Sequence, residues 1–340
     1  MWIDFKSDTV TKPSKAMKEF MIEAEVGDDV FGEDPTINEL EDYSAKLFGK
    51  EAGLFCCSGT QTNQIAIQVY CKPGDEVICA ADAHIYKYEG GGIARNAGAS
   101  VKLIQGDRGR INAYDVITAI NDPENVHYPI SALVALEDTM NRGGGAIYDF
   151  QEVLKIKEVC RKNNLPLHLD GARVFNRLVA SPIDYIKYGN AFDSISICLS
   201  KGLGAPVGSV LIGSKEFIRQ ARRVRKVMGG GMRQAGIIAA GGLFALQNNI
   251  APLTKDHQKA QELGKTLLEN PWIESVSQVE TNIVVGHFHT SEKLHSFLSK
   301  LNENQIIAMP FGDKQIRFVT HLDISEDQLQ KTIEVIRKIS

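Results

Sequence analysis

Short apolar runs alternate along this chain with longer stretches in which apolar residues recur at helical spacing. The runs at 76–79, 101–104, 132–136, 165–169, 194–199 and 208–212 are rich in Val, Ile and Leu and read as strands. Several are apolar almost throughout, the pattern of a strand buried on both faces. Between them, segments such as 61–71 and 149–163 repeat apolar residues every three or four positions, which predicts helices. Strand and helix in alternation predict a mainly parallel sheet covered by helices on both sides, a large α/β domain.

From about residue 246 the rhythm changes. A long polar helix at 253–268 precedes an apolar run at 282–288, a helix at 291–301, a run at 315–320 and a helix at 325–339. This order suits a smaller α+β unit. The expected division is a large domain at 15–245 and a small domain at 246–340 that also takes the amino-terminal arm 1–14. No proline- or glycine-rich linker and no internal repeat separates them, so close packing is expected.

Composition narrows the classes. With 340 residues, 43% hydrophobic and 24% charged, the chain can bury a large core, and 30 glycines and 11 prolines without a period exclude collagenous and low-complexity chains. A net charge of −4 leaves no field to gather a nucleic-acid backbone. No stretch reaches the length of a membrane span, and residues 1–10 lack the cationic start and apolar core of a secretion signal. Six cysteines without CxxC or zinc-type spacing fit a reducing compartment, so a cytoplasmic location and no metal site are expected. The basic run Arg219, Arg222, Arg223, Arg225, Lys226 reads by itself as a solvated helix face.

In open parallel sheets ligands bind beyond the carboxyl ends of the strands, so the polar residues that end apolar runs carry the chemistry. The run at 165–169 leads into Asp170-Gly171-Ala172-Arg173, that at 194–199 into Ser200-Lys201-Gly202, and that at 53–57 into Ser58-Gly59-Thr60. An acid and a lysine alone could be an ion pair, and the Ser-Gly-Thr element alone an ordinary N-cap. That element, however, opens a helix whose free amides and dipole suit a phosphate. Together the three supply what pyridoxal phosphate requires. The lysine forms a Schiff base with the aldehyde, the helix start anchors the phosphate, and the carboxylate keeps the pyridine nitrogen protonated so that the ring accepts electrons.

The stretches 4–13 (DFKSDTVTKP), 27–41 (GDDVFGEDPTINELE), 58–63 (SGTQTN), 169–176 (LDGARVFN), 198–208 (CLSKGLGAPVG) and 229–234 (GGGMRQ) resemble the low-specificity L-threonine aldolase family of fold-type-I pyridoxal phosphate enzymes. The resemblance runs in order from residue 4 to about residue 323. It implies a carbon–carbon lyase that converts L-threonine or L-allo-threonine, small β-hydroxy-α-amino acids, to glycine and acetaldehyde. It assigns Lys201 to the Schiff base, Asp170 to the pyridine nitrogen and Gly59 and Thr60 to the phosphate. His84 would stack on the ring, and Arg173 would lie near the phenolic oxygen and the substrate carboxylate. Arg317, in the run Gln315-Ile316-Arg317-Phe318-Val319, is the expected clamp for the α-carboxylate, aided by Ser7 and Arg173, because a planar guanidinium matches a carboxylate.

A base must also take the β-hydroxyl proton. His84, His127 and a water activated by Glu89 are the candidates. The resemblance further implies that the glycine-rich segment reaches a neighbouring subunit's site, with Lys226 touching the phosphate and Arg233 lining the site across the interface. A homodimer at least, and a homotetramer of two such dimers, is then expected.

One departure bears on the substrate. Glu137-Asp138-Thr139-Met140-Asn141 stands where the family usually has Glu-Asn-Thr-His-Asn, so an added acid is expected to alter the pocket around Cβ. Two other readings stay open. One is a β-eliminating lyase, or another pyridoxal phosphate enzyme, acting on a different amino acid. The other is a non-catalytic protein that keeps the fold.

Overall fold

The computed structural model describes residues 2–339. Its central sheet has seven strands in the order Ala52–Cys56, Ser209–Gly213, Ser194–Cys198, Leu167–Gly171, Ser131–Glu137, Glu76–Ala80, Ser100–Ile104. Only Ser209–Gly213 runs against its neighbours; the other six strands point the same way. Four of the strands are buried at every residue, as their near-continuous apolar runs require. The strand expected at 165–169 begins at Leu167 and runs to Gly171. Pro166 has no N–H to give the ladder, and the shift carries Asp170 into the strand itself.

The helices Gly59–Tyr70 and Phe150–Lys162 lie within two residues of their expected bounds. Helix Gly236–Asn248 carries no one-sided pattern because it is apolar nearly all round and buried at eight positions. It also runs through the expected division at 245/246, and Leu246 and Leu253 pack into the larger core.

A second core gathers Leu263, Val284, Phe297, Phe318 and Leu329 around a four-stranded antiparallel sheet ordered Met309–Gly312, Gln315–Val319, Ile283–Phe288, Ile273–Val276. The amino-terminal arm is part of it. Strand Ile3–Asp4 pairs with Ile306–Ile307, and Phe5 meets Phe318 edge-on at 5.7 Å between ring centroids. Burying a phenylalanine stabilises by about 2 kcal/mol, with about 1 kcal/mol more for such a pair, enough to fix where the arm goes next. It crosses to the larger domain, where Asp8 meets Arg173.

The basic run is not the free surface its composition suggests. In helix Lys215–Val227, Arg225 is buried and forms an ion pair with Asp29 at 2.7 Å, and Arg222 bonds Glu41 at 2.7 Å; Arg223 and Lys226 remain exposed. Among the described residues, no single helix is long and apolar enough to cross a membrane.

Candidate active site

Because six strands share a direction, their carboxyl ends lie along one edge of the sheet. Ser58, His84, Glu137, Asp170 and Lys201 each end or follow one of these strands. They surround two adjoining cavities, an inner one of about 180 Å³ and an outer one of about 410 Å³, which share Thr9, His84, Ala172 and Lys201 in their walls.

At the floor of the inner cavity Asp170 is buried, accepting from Asn63 Nδ2 at 2.9 Å and from the Ala172 N–H at 3.1 Å. Asn63 is held in turn by His168, whose Nε2 lies 3.1 Å from Asn63 Oδ1 and whose Nδ1 lies 2.8 Å from Ser194 Oγ. Burial pulls His168 down to about 4 and keeps it neutral. The bonding pattern then has Ser194 donate to Nδ1 and Nε2–H donate to Asn63, which turns both amide hydrogens of Asn63 toward carboxylates. One goes to Asp170 and the other to Glu89 at 2.9 Å.

Among the described residues no Lys or Arg nitrogen lies within 4.0 Å of Asp170, so a buried carboxylate has neutral donors and no cation. A protonated ring nitrogen would supply one, and the site therefore fits pyridoxal phosphate. The rest of the cavity agrees. Ser58 caps helix Gly59–Tyr70 by accepting from the Gln61 N–H, and the first-turn amides of Gly59 and Thr60 have no intrahelical acceptor. A Cβ on Gly59 would sit 2.6 Å from Cys198 Sγ, so only glycine lets the helix start this close to the strand. The Lys201 carbonyl accepts from Thr11 Oγ1 and the Gly204 N–H at 2.8 Å each, fixing its backbone, while its Nζ makes no ion pair within 4.0 Å among the described residues.

The outer cavity carries three guanidinium groups in different states. Arg173 forms two 2.8 Å bonds to Asp8, both side chains buried, and although burial opposes it, this pairing holds Asp8 at about 2. Arg317 donates to Asn141 Oδ1 at 3.0 Å and to the Lys6 carbonyl at 2.9 Å, its Nε has no partner, and no carboxylate is bound to it. Burial, and then the like charge of Arg173, lower it to about 10. Arg142 packs on the Phe311 ring.

Between the cavities, Glu137 accepts from the backbone N–H groups of His84 at 2.7 Å and Asn141 at 2.9 Å; burial, then the charge of Asp170, push it up to about 7. His84 Nδ1 lies 3.0 Å from Glu89 Oε1. Burial alone would lower His84, but the Glu89 bond and the surrounding carboxylates raise it overall. His84, Glu89 and Asp170 offer ligand atoms within 4.8 Å of one another, which a cation could use, although Asn63 already bonds both carboxylates.

The structure thus brings Lys201, Asp170, Gly59, Thr60, His84, Ser7, Arg173 and Arg317 to one place. Glu89 stands behind His84, its oxygens taken by Asn63, Gln64 and His84, and it lines neither cavity. Three expected residues are not brought in. His127 lies on an exposed loop, Lys226 is exposed, and Arg233 pairs with Asp28 at 2.8 Å, all outside both cavities of this chain.

The expectation for Asp138 is overturned. Its carboxylate faces away from the pocket, accepting from Tyr188 Oη at 2.8 Å and lying 3.3 Å from Arg177 Nε, and Met140 is fully buried in the larger core. The acid meets a buried arginine rather than the Cβ pocket. Asn63, His168, Asn141, Arg142 and Phe311 emerge only from the fold. A signal existed for Asn63, which follows Gly59 by four residues and so shares its helix face.

A floor carboxylate without a cation, a strand-end lysine and a free helix start on this sheet define a pyridoxal-phosphate-dependent enzyme. Residues 4–291 match the family model described as Beta-eliminating lyase. Low-specificity L-threonine aldolase 1 of Arabidopsis thaliana is 41% identical over 345 residues, covering 99% of this chain and 96% of that protein. The low specificity L-threonine aldolase of Escherichia coli (strain K12) is 41% identical over 330 residues, covering 96% of each. Among solved structures, a threonine aldolase of Leishmania major superposes with a TM-score of 0.84 at 21% identity over 99% of both chains. A serine palmitoyltransferase of Sphingomonas wittichii gives 0.77 at 16% identity, covering 99% of this chain and 87% of the other. The chain belongs to the low-specificity L-threonine aldolase family.

Proposed function

We propose that the protein cleaves L-threonine and L-allo-threonine between Cα and Cβ, releasing glycine and acetaldehyde, and treats other small β-hydroxy-α-amino acids alike. The observation that carries this reading is the pairing of two unsatisfied groups: the buried Asp170 carboxylate without a cation and the buried Arg317 guanidinium without a carboxylate. Pyridoxal phosphate, when bound, supplies the sink for the electron pair left on Cα. Lys201 Nζ would hold its aldehyde end, Asp170 would face its ring nitrogen, Gly59 and Thr60 would take its phosphate, and His84 would stack on its ring.

Arg317 and Ser7 bind the α-carboxylate. Pinning that group fixes rotation at Cα and leaves the bond to Cβ as the one aligned for cleavage. Arg173, tied down by Asp8, adds positive charge from a fixed position. His84 takes the β-hydroxyl proton at Nε2, because Glu89 engages Nδ1 and so sets the tautomer.

The purified protein is incubated with each threonine stereoisomer and with β-phenylserine, and the products are identified. Glycine plus an aldehyde is expected. Ammonia plus a keto acid would replace this reading with β-elimination.

We also propose that the working unit is a homo-oligomer in which Lys226, Arg233 and His127 complete a second copy's site. All three are exposed, and two of them stand beside exposed apolar residues, Val227 next to Lys226 and Val126 and Tyr128 on either side of His127. Light scattering should give a multiple of 37.4 kDa, with four copies expected. Mixing Lys201→Ala and Lys226→Ala proteins under exchange conditions should restore activity, since some mixed sites regain both residues. No restoration means that each site is self-contained.

A further inference from the structure

The outer cavity holds one cation more than the reaction above employs. Arg173 is satisfied by Asp8, and Arg317 awaits the α-carboxylate. Arg142 is the third. Its guanidinium carbon lies 4.2 Å from the Phe311 ring centroid, its Nη1 donates to the Phe311 carbonyl at 2.7 Å, and no carboxylate lies within 4.0 Å of it among the described residues. Ring and carbonyl hold the side chain in place, while its other donors have no acceptor among those residues.

The turn that carries Arg142 is equally fixed. The Met140 N–H bonds the Ala146 carbonyl at 2.9 Å and the Gly145 N–H bonds the Met140 carbonyl at 2.9 Å, while a Cβ on Gly143 would sit 2.0 Å from the Arg108 carbonyl oxygen. An arginine with a merely solvating role needs neither a locked turn nor an aromatic seat.

Arg317 shares that seat, its guanidinium carbon 4.8 Å from the same centroid. Two like charges on one ring repel, and Arg142 is among the groups that lower Arg317. A monocarboxylate substrate answers one of them. A substrate with a second anionic group near Cβ answers both.

We propose that Arg142 reads a second carboxylate, and that the protein cleaves diacids of the 3-hydroxyaspartate type, with Arg317 on the α-carboxylate and Arg142 on the carboxylate attached to Cβ. The inference rests on the threonine-type cleavage proposed above. The Cα–Cβ bond breaks, the β-hydroxyl gives up its proton and becomes the carbonyl of glyoxylate, and Cα gains a proton to yield glycine. Nothing is oxidised or reduced overall and no co-reactant is needed.

The holoenzyme is assayed for glycine formation from L-threonine and from the L-3-hydroxyaspartate diastereomers, as wild type, Arg142→Gln and Arg142→Lys. The ratio of kcat/KM for the diacid to that for threonine should fall about 30-fold in the Gln variant, about 2 kcal/mol, and recover in part with Lys. Succinate should compete with threonine better than butyrate does, and only in proteins with a cation at this position. Equal losses on both substrates would place Arg142 in the α-carboxylate clamp and overturn the proposal. So would a wild type that cleaves threonine but refuses the diacid, which leaves the threonine reading standing; a wild type that cleaves neither removes both.

Discussion

Replacing Arg317 by Gln separates a residue kept for substrate from one kept for the fold. The native guanidinium is buried with two neutral acceptors and an unpartnered Nε, and its pKa is lowered from the ordinary arginine range to about 10 by burial and by Arg173. At 1.36 kcal/mol per unit this depression corresponds to about 3 kcal/mol of destabilisation of the folded, unliganded protein. Because the folded value lies below the unfolded one, the penalty is fully present below about pH 10 and is relieved as pH rises beyond it toward the ordinary arginine range. Gln removes that penalty. It also removes two hydrogen bonds worth about 1 kcal/mol each and a cation–π contact with Phe311 worth roughly 0.5–1 kcal/mol. The balance lies within about 1 kcal/mol of zero.

With roughly 2 cal/mol/K of unfolding entropy per residue, a chain of this length should change its melting temperature by less than about 2 °C. Substrate binding suffers far more, since a buried carboxylate left without its partner costs about 3–5 kcal/mol, roughly 200- to 5,000-fold in kcat/KM. Melting is followed without substrate, and kcat and KM are measured separately with threonine. A melting point lower by more than about 5 °C, combined with a loss in kcat/KM below about tenfold, would show that Arg317 serves the fold and refute the clamp.

Lys201→Ala should lower turnover by at least about a thousandfold, and borohydride reduction should no longer leave cofactor on the peptide that carried residue 201; normal turnover would remove the central assignment. His168 has a folded value near 4 against 6.5 for the free side chain, so the unfolded chain binds a proton that the folded one refuses as pH falls between these values. Stability should drop by about 3 kcal/mol across that window, and urea midpoints at pH 7 and 4.5 should show a shallower dependence in His168→Asn. Equal pH slopes would argue against a neutral His168. Asp138→Asn should lower the unfolding free energy by up to about 3 kcal/mol, because Arg177 loses its carboxylate, while the ratio of threonine to β-phenylserine turnover stays within about twofold. A larger change in the ratio would return Asp138 to the substrate pocket.

Periodicity and the ends of apolar runs were enough to reach the sheet, the lysine, the acid and the helix start that line one cavity, because a parallel sheet buried on both faces leaves its chemistry only one edge to occupy. That logic is local, and it failed where locality fails. Helix Gly236–Asn248 is apolar nearly all round and so carries no stripe, and Asp138 looked like a pocket acid until the fold set Arg177 and Tyr188 against it. Which arginine is satisfied and which still awaits an anion depends on Asp8 crossing from the arm, 165 positions away from Arg173 in the chain. Asn63 and His168 meet across 105 positions. His127, Lys226 and Arg233 lie outside both site cavities of their own chain. Residue types and spacing name the groups that can react; which of them are neutralised, aimed or left wanting a partner is an electrostatic balance among distant segments, and that balance exists only once the chain is packed.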